Sequence, residues 1–234
     1  MPDDTAAEPA QREKQPPIIN APLVVILMTL ALLGLHAAYE FASFSERMAI
    51  AYDFALAPER FWAPAGSPKV YPDALSGLLT LASSALLHAD WFHVIVNSMM
   101  LLALGAPVAR ALGEGIRGAA LFMLLFVGAV IGGSALYLAM TDVASPYAIG
   151  ASGGTSGLFA AVFLLDHNGG KHALWSRHFL GITLAFALAN ALLVVAGPSL
   201  MGAFIAWEAH AGGYLAGALL MALMPIRRRD WAGS

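Results

Sequence analysis

The 234-residue sequence contains no cysteine. Disulfides, thiolate nucleophiles and cysteine-ligated metals are thereby excluded. Any acid, base or ligand has to come from histidine, a carboxylate or a hydroxyl. Charge is also scarce: Asp, Glu, Lys and Arg make up 12% of the chain, against 59% hydrophobic residues. A soluble domain carries roughly 25% charged residues, so this chain cannot cover a water-facing surface. The net charge of −3 leaves no electrostatic footprint for nucleic acid. What remains is an all-α polytopic membrane protein, long enough for one domain of about six spans at about 20 residues each.

Residues 1–20 are polar and proline-rich and read as a disordered tail. Apolar spans are expected over 21–42, 88–108, 116–140, 179–197 and 203–225, with a shorter one over 151–166 that has to start below the membrane surface. A cleaved signal peptide competes for the first span, but its leader is as acidic as it is basic. Residues 43–86 mix charges (Glu46, Arg47, Asp53, Glu59, Arg60, Lys69, Asp73) with aromatics (Tyr52, Phe54, Phe61, Trp62, Tyr71). That mixture suits a segment lying in the membrane interface.

Charge placement sets the orientation. With the N-terminus inside, the inner segments hold Arg12, Lys14, Arg110, Arg117, Lys171, Arg177, Arg227, Arg228 and Arg229, nine of the twelve Lys and Arg. Arg47, Arg60 and Lys69 lie in the long first loop, and the short outer loops near 141–149 and 198–202 have none. The positive-inside rule then places both termini on the cytoplasmic side, including a basic tail over 226–234. A bacterial cytoplasmic membrane is the simplest home.

Three polar clusters interrupt the apolar spans. "HADWFHVIVN" (88–97) carries His88, His93 and Asn97, the last two sharing a helix face four residues apart. "YAIGASGGTSG" (147–157) carries Ser152, Thr155 and Ser156 among Gly150, Gly153, Gly154 and Gly157. "WEAHAGGYLAG" (207–217) carries His210 one turn before the close-packing pair Gly213 and Gly217. Each has a plain structural use: a helix N-cap for Ser152, helix contacts for the glycines, an interhelical hydrogen bond for a histidine. All three fall in the outer half of the membrane, and together they meet the demands of a hydrolase. Ser152 can be a nucleophile at a helix N-terminus, where the dipole favours negative charge. His210 can be its base, and His93 and Asn97 can donate to an oxyanion.

This pattern resembles the rhomboid family of intramembrane serine proteases. The carriers are G-x-S-G at the fourth span (Gly150–Ala151–Ser152–Gly153), the histidine of "AHAGGYLAG" in the sixth, and H-x-x-x-x-H-x-x-x-N in the second. The resemblance covers residues 21–225 and implies a six-helix bundle with a short fourth helix. It implies Ser152 as nucleophile, His210 as general base, and His93, Asn97 and the Ser152 N–H as oxyanion hole. His88 takes a structural part. It further implies a cap near 197–203, the fifth span as lateral gate, transmembrane segments of other proteins as substrates, and no metal or cofactor.

Two positions depart from the family. Leu79 and Thr80 stand where many relatives have a Trp-Arg pair, so the first loop needs another anchor. Ser156 stands where many stack an aromatic on the base, so His210 is either held by other contacts, with Phe159 and Tyr214 as candidates, or looser. Glu208 points about 200° away from His210 and is not expected to join it. Asp90 and Asp142 read as capping or interfacial residues. His36, His167, His172 and His178 show no polar partner pattern, and the last three read as solvated. A catalytically weak or inactive relative that binds transmembrane clients is the rival. A transporter would want an internal repeat or polar groups at both faces, and a metal at His88 and His93 fails on their five-residue spacing.

Overall fold

The structure is a computed structural model that describes residues 21–64, 66–166, 169–201 and 204–227. The tail 1–20, His167 and most of the basic C-terminal tail lie outside the described residues. Six apolar helices form the bundle: α1 (Leu23–Phe41), α5 (Trp91–Leu112), α6 (Gly115–Met140), α7 (Ser152–Leu164), α8 (Arg177–Met201) and α9 (Trp207–Leu223). They correspond in order to the six expected spans, but α8 runs on to Met201, through most of the loop and cap expected over 197–203, and α9 begins four residues later than the sequence suggests. Four of them, α1, α5, α6 and α8, are long and apolar enough to cross a membrane. The 13 residues of α7 rise only about 20 Å at 1.5 Å each, well short of the hydrocarbon core. No strand occurs among the described residues, only isolated bridges.

The long first loop folds into α2 (Phe44–Phe54), α3 (Pro58–Phe61) and α4 (Ala74–Ser83), which runs on into a 3-10 turn at Ser84–Leu86. Its helices start where their caps dictate. Ser43 and Glu46 form a capping box on α2, and Asp73 accepts the Ser76 N–H on α4. These bonds hold both carboxyls below the usual carboxylate range, through the Ser43 hydroxyl and N–H for Glu46 and the Ser76 N–H and hydroxyl for Asp73.

The expectation of a different anchor for this loop is met by Arg60. Its guanidinium lies 3.8 Å from the ring centroids of both Tyr52 and Tyr71 and donates to the carbonyls of Tyr52 and Lys69. Arg60 is therefore buried without leaving its charge unsolvated. Thr80 is buried beneath it, its hydroxyl donating to Gly77 O and meeting Tyr71 OH, while Leu79 is exposed. The loop is then tied to the bundle at three points. Ser134 of α6 donates to Leu81 O, Leu56 and Ala148 exchange backbone bonds, and the Gly150 N–H donates to Ser84 O. Thus the first loop forms the floor under the connection from α6 to α7.

The contact among α6, α7 and α9 is built by glycine. A side chain at Gly213 or Gly217 of α9 would run into the backbone of Gly153 or Gly157 of α7. A side chain at Gly212 would meet the Gly132 carbonyl of α6 at 2.5 Å. With no Cβ between them, the backbones of α6, α7 and α9 close to direct contact, the packing expected of the Gly213–Gly217 pair. At the far end of α9, the Lys171 ammonium donates to the carbonyls of Met221, Ala222 and Met224 and closes the helix.

Candidate active site

Helix α7 begins at Ser152 itself. Its N-cap is Ala151, which has no side-chain hydroxyl to offer, so the plain reading of Ser152 as a capping residue does not hold. Consequently the N–H groups of Ser152, Gly153 and Gly154 have no acceptor among the described residues. The turn before them is fixed from three sides. Gly150 has φ +117°, a conformation open to glycine and strained for other residues. A Cβ there would also strike the His93 ring, 2.6 Å from Cε1 and 2.8 Å from Nε2. The Ala151 N–H donates to His88 Nε2 at 3.3 Å, and the Gly150 N–H to Ser84 O at 2.9 Å. His88 is buried and touches the His93 ring at 5.0 Å between centroids.

On α5, Asp90 caps the helix by accepting the His93 N–H at 2.8 Å, in line with its reading as a capping residue. Asn97 is buried four residues on and faces Thr155 of α7, Oδ1 to Oγ1 3.5 Å. One of its amide protons goes to His93 O of its own helix at 3.0 Å, which leaves one for any other acceptor. The Thr155 hydroxyl donates back to Ser152 O, so Thr155 is a local hydrogen-bonding residue.

Facing α7, the His210 ring is half-buried, and its Nδ1 lies 2.9 Å from Asn190 Oδ1 on α8. The amide nitrogen of Asn190 donates to Trp207 O at 3.1 Å, which fixes its oxygen toward the histidine. Neutral His210 therefore carries its proton on Nδ1 and keeps the Nε2 lone pair free. That is the tautomer a proton acceptor needs. Ser152 and His210 are not hydrogen bonded to each other, and both side chains are partly accessible. Ser152 adjoins Gly153, and His210 adjoins Ala209, whose carbonyl lies 3.4 Å from a Cβ built on Gly153. The glycine contact thus brings the two side chains to the same level of the bundle.

The expectation that Phe159 or Tyr214 holds His210 is corrected. Tyr214 stacks on Phe186 at 4.4 Å and Phe159 lies 5.5 Å from Phe186, so both rings are committed to α8. Neither makes a ring contact with His210 among the described residues. Asn190 does the holding, and an asparagine alone in the span 179–197 was the available signal for it. Glu208 is buried with Oε2 unpartnered and does not meet His210, whose Nδ1 is taken by Asn190. His36, read as having no polar partner, has none for either ring nitrogen among the described residues; its ring is fully buried on α1 against the rings of Trp91 and His88.

A family model, the Rhomboid domain, matches residues 76–227, well over half of the chain. This chain belongs to the rhomboid family. The match opens within α4 and closes just beyond α9, so α1, α2 and α3 lie outside it. It spans all three polar clusters. No curated protein matches the chain. As a rhomboid protein with four helices long enough to cross a bilayer, it is a membrane protein.

Proposed function

We propose that this rhomboid protein is an intramembrane serine endopeptidase that cuts transmembrane segments of other proteins near their outer ends. One observation carries the reading. The residue that opens α7 with three unclaimed N–H groups is a serine, and the helix packed backbone to backbone against it bears a histidine already held in the accepting tautomer. In this reading His210 Nε2 takes the Ser152 proton as Oγ attacks the scissile carbonyl. The N–H groups at the start of α7, the His93 ring and the remaining Asn97 amide proton stabilise the oxyanion. His210 then returns the proton to the leaving amine. Asn190 orients the imidazole in place of a carboxylate. The placement of Lys and Arg supports both termini inside, and a bacterial cytoplasmic membrane is the simplest home.

The test is cleavage of a transmembrane substrate by the purified protein in detergent. Ser152→Ala and His210→Ala each lower the rate by about 10⁴-fold or more, and a serine-directed covalent probe labels wild type but not Ser152→Ala. Cleavage that survives both substitutions overturns the mechanism. The unbonded Ser152–His210 pair favours a second reading, an inactive relative that holds transmembrane clients. That protein would retain the substrate uncut and resist the probe.

A further inference from the structure

His36 lies on α1, outside the matched region, and the proposed chemistry has no use for it. Its side chain is 1% exposed, wedged edge-on against Trp91 at 4.8 Å and against His88 at 6.4 Å between centroids. Neither of its ring nitrogens has a hydrogen-bond partner, and neither does Nδ1 of His88. Three unpaired nitrogens on two facing rings are costly in a buried place where leucine or phenylalanine would pack as well. The other nitrogen of His88 is spoken for: Nε2 accepts the Ala151 N–H. Neutral His88 therefore carries its proton on Nδ1, beside the Leu86 carbonyl but short of a hydrogen bond to it, so this donor still lacks an acceptor.

We propose that one buried water bridges His36 and His88 Nδ1, and that His36 is a positioning residue for the turn that carries Ser152. Rings 6.4 Å apart and at 85° are too distant for a direct bond between nitrogens. They suit one water at about 2.9 Å from each. The water accepts from His88 Nδ1–H and donates to a lone pair of His36, so each of the two rings gains a partner. The relay then runs from α1 through His88 to the Ala151 amide, and it fixes the depth at which Ser152 starts α7. The effect on catalysis rests on the reading of Ser152 as nucleophile; the water bridge does not.

The test therefore reads the two separately. In full-length protein in detergent with nitrogen-15 histidine, the His88 Nδ1 proton resists exchange and shows a cross-peak to a long-lived water. Absence of that cross-peak in wild type overturns the proposal without any variant. His36→Phe keeps the contact with Trp91 and removes both nitrogens. It moves the His88 signal upfield, speeds its exchange and lowers kcat about tenfold with KM within twofold, while Tm does not fall. His36→Gln, which can still hold a water, recovers most of the rate. An unmoved His88 signal in His36→Phe overturns the bridge, and an unmoved kcat overturns the positioning role. If Ser152→Ala still cleaves, the active-site reading fails while the His88 signal still decides the bridge.

Discussion

Helix α9 meets its neighbours in two opposite ways. Against α6 and α7 it packs backbone to backbone through Gly132, Gly153, Gly157, Gly212, Gly213 and Gly217. Against α8 it is held by side chains: Asn190 to His210 and Trp207 O, the Thr183 hydroxyl to Tyr214 OH at 2.7 Å, and Phe186 on the Tyr214 ring. Only 11% of the apolar stretch of α8 is buried, against 39% of that of α6. A glycine interface has a single geometry, because the backbones have nowhere to go. Side-chain hooks release one at a time. The serine and histidine helices are thus locked to each other, whereas the helix that orients the histidine is held to α9 through side chains. This division fits a lateral entry at α8.

The locked side breaks most severely. Gly213→Val drives a branched side chain into the Gly153 backbone, an overpacking with no flexible neighbour to absorb it, costing about 3 kcal/mol or more. We expect thermal unfolding in detergent to shift strongly downward and cleavage to fall at least 100-fold by the same geometric disruption. Gly181→Val on α8, where a Cβ meets nothing within 4 Å, leaves both measurements unchanged. Equal tolerance at the two glycines would mean that the α7–α9 contact does not set the geometry.

Asn190→Ala comes next. It removes the acceptor for His210 Nδ1 and frees the ring to turn or to change tautomer. The expected loss in kcat is about 10- to 100-fold, as for other partners that orient a functional histidine, with KM little changed. A rate equal to that of wild type would show that the glycine-packed helices alone position the base.

The locked side was legible in the sequence and the hooked side was not. Hydropathy, charge placement and the Gly213–Gly217 spacing gave six helices in order, because lipid demands long apolar runs and close helices demand small residues. The G-x-S-G segment and the histidine of α9 could be singled out for the same reason: polar residues stand out against an apolar span. What escaped depends on which faces meet. Asn190, His36 and Ser84 act through partners 20, 52 and 66 residues away along the chain, at His210, His88 and Gly150. Asn190 stands out as an amide in an apolar span, but nothing local to any of the three names its partner. Arg60 stands among interfacial charges in the sequence, yet two tyrosines and two carbonyls allow it to be buried. In the same way Tyr214 sits one turn after His210 but turns its ring to α8.

The smallest change gives the sharpest view of the hooked side. Thr183→Val keeps the shape of the side chain and removes its bonds to Tyr214 OH and Phe179 O. Losing such a bond costs about 1 kcal/mol, which lowers Tm by about 2–4 °C in a chain of this size. Thr183 touches neither Ser152 nor His210, so the chemical step is left intact. If α8 has to part from α9 to admit a transmembrane helix, the same 1 kcal/mol favours the open form by about fivefold. Cleavage of a membrane-embedded substrate should then rise two- to fivefold, while labelling of Ser152 by a small water-soluble probe stays the same. A fall in cleavage like that of Asn190→Ala would instead make α8 part of the rigid scaffold, and the two faces of α9 would no longer differ in function.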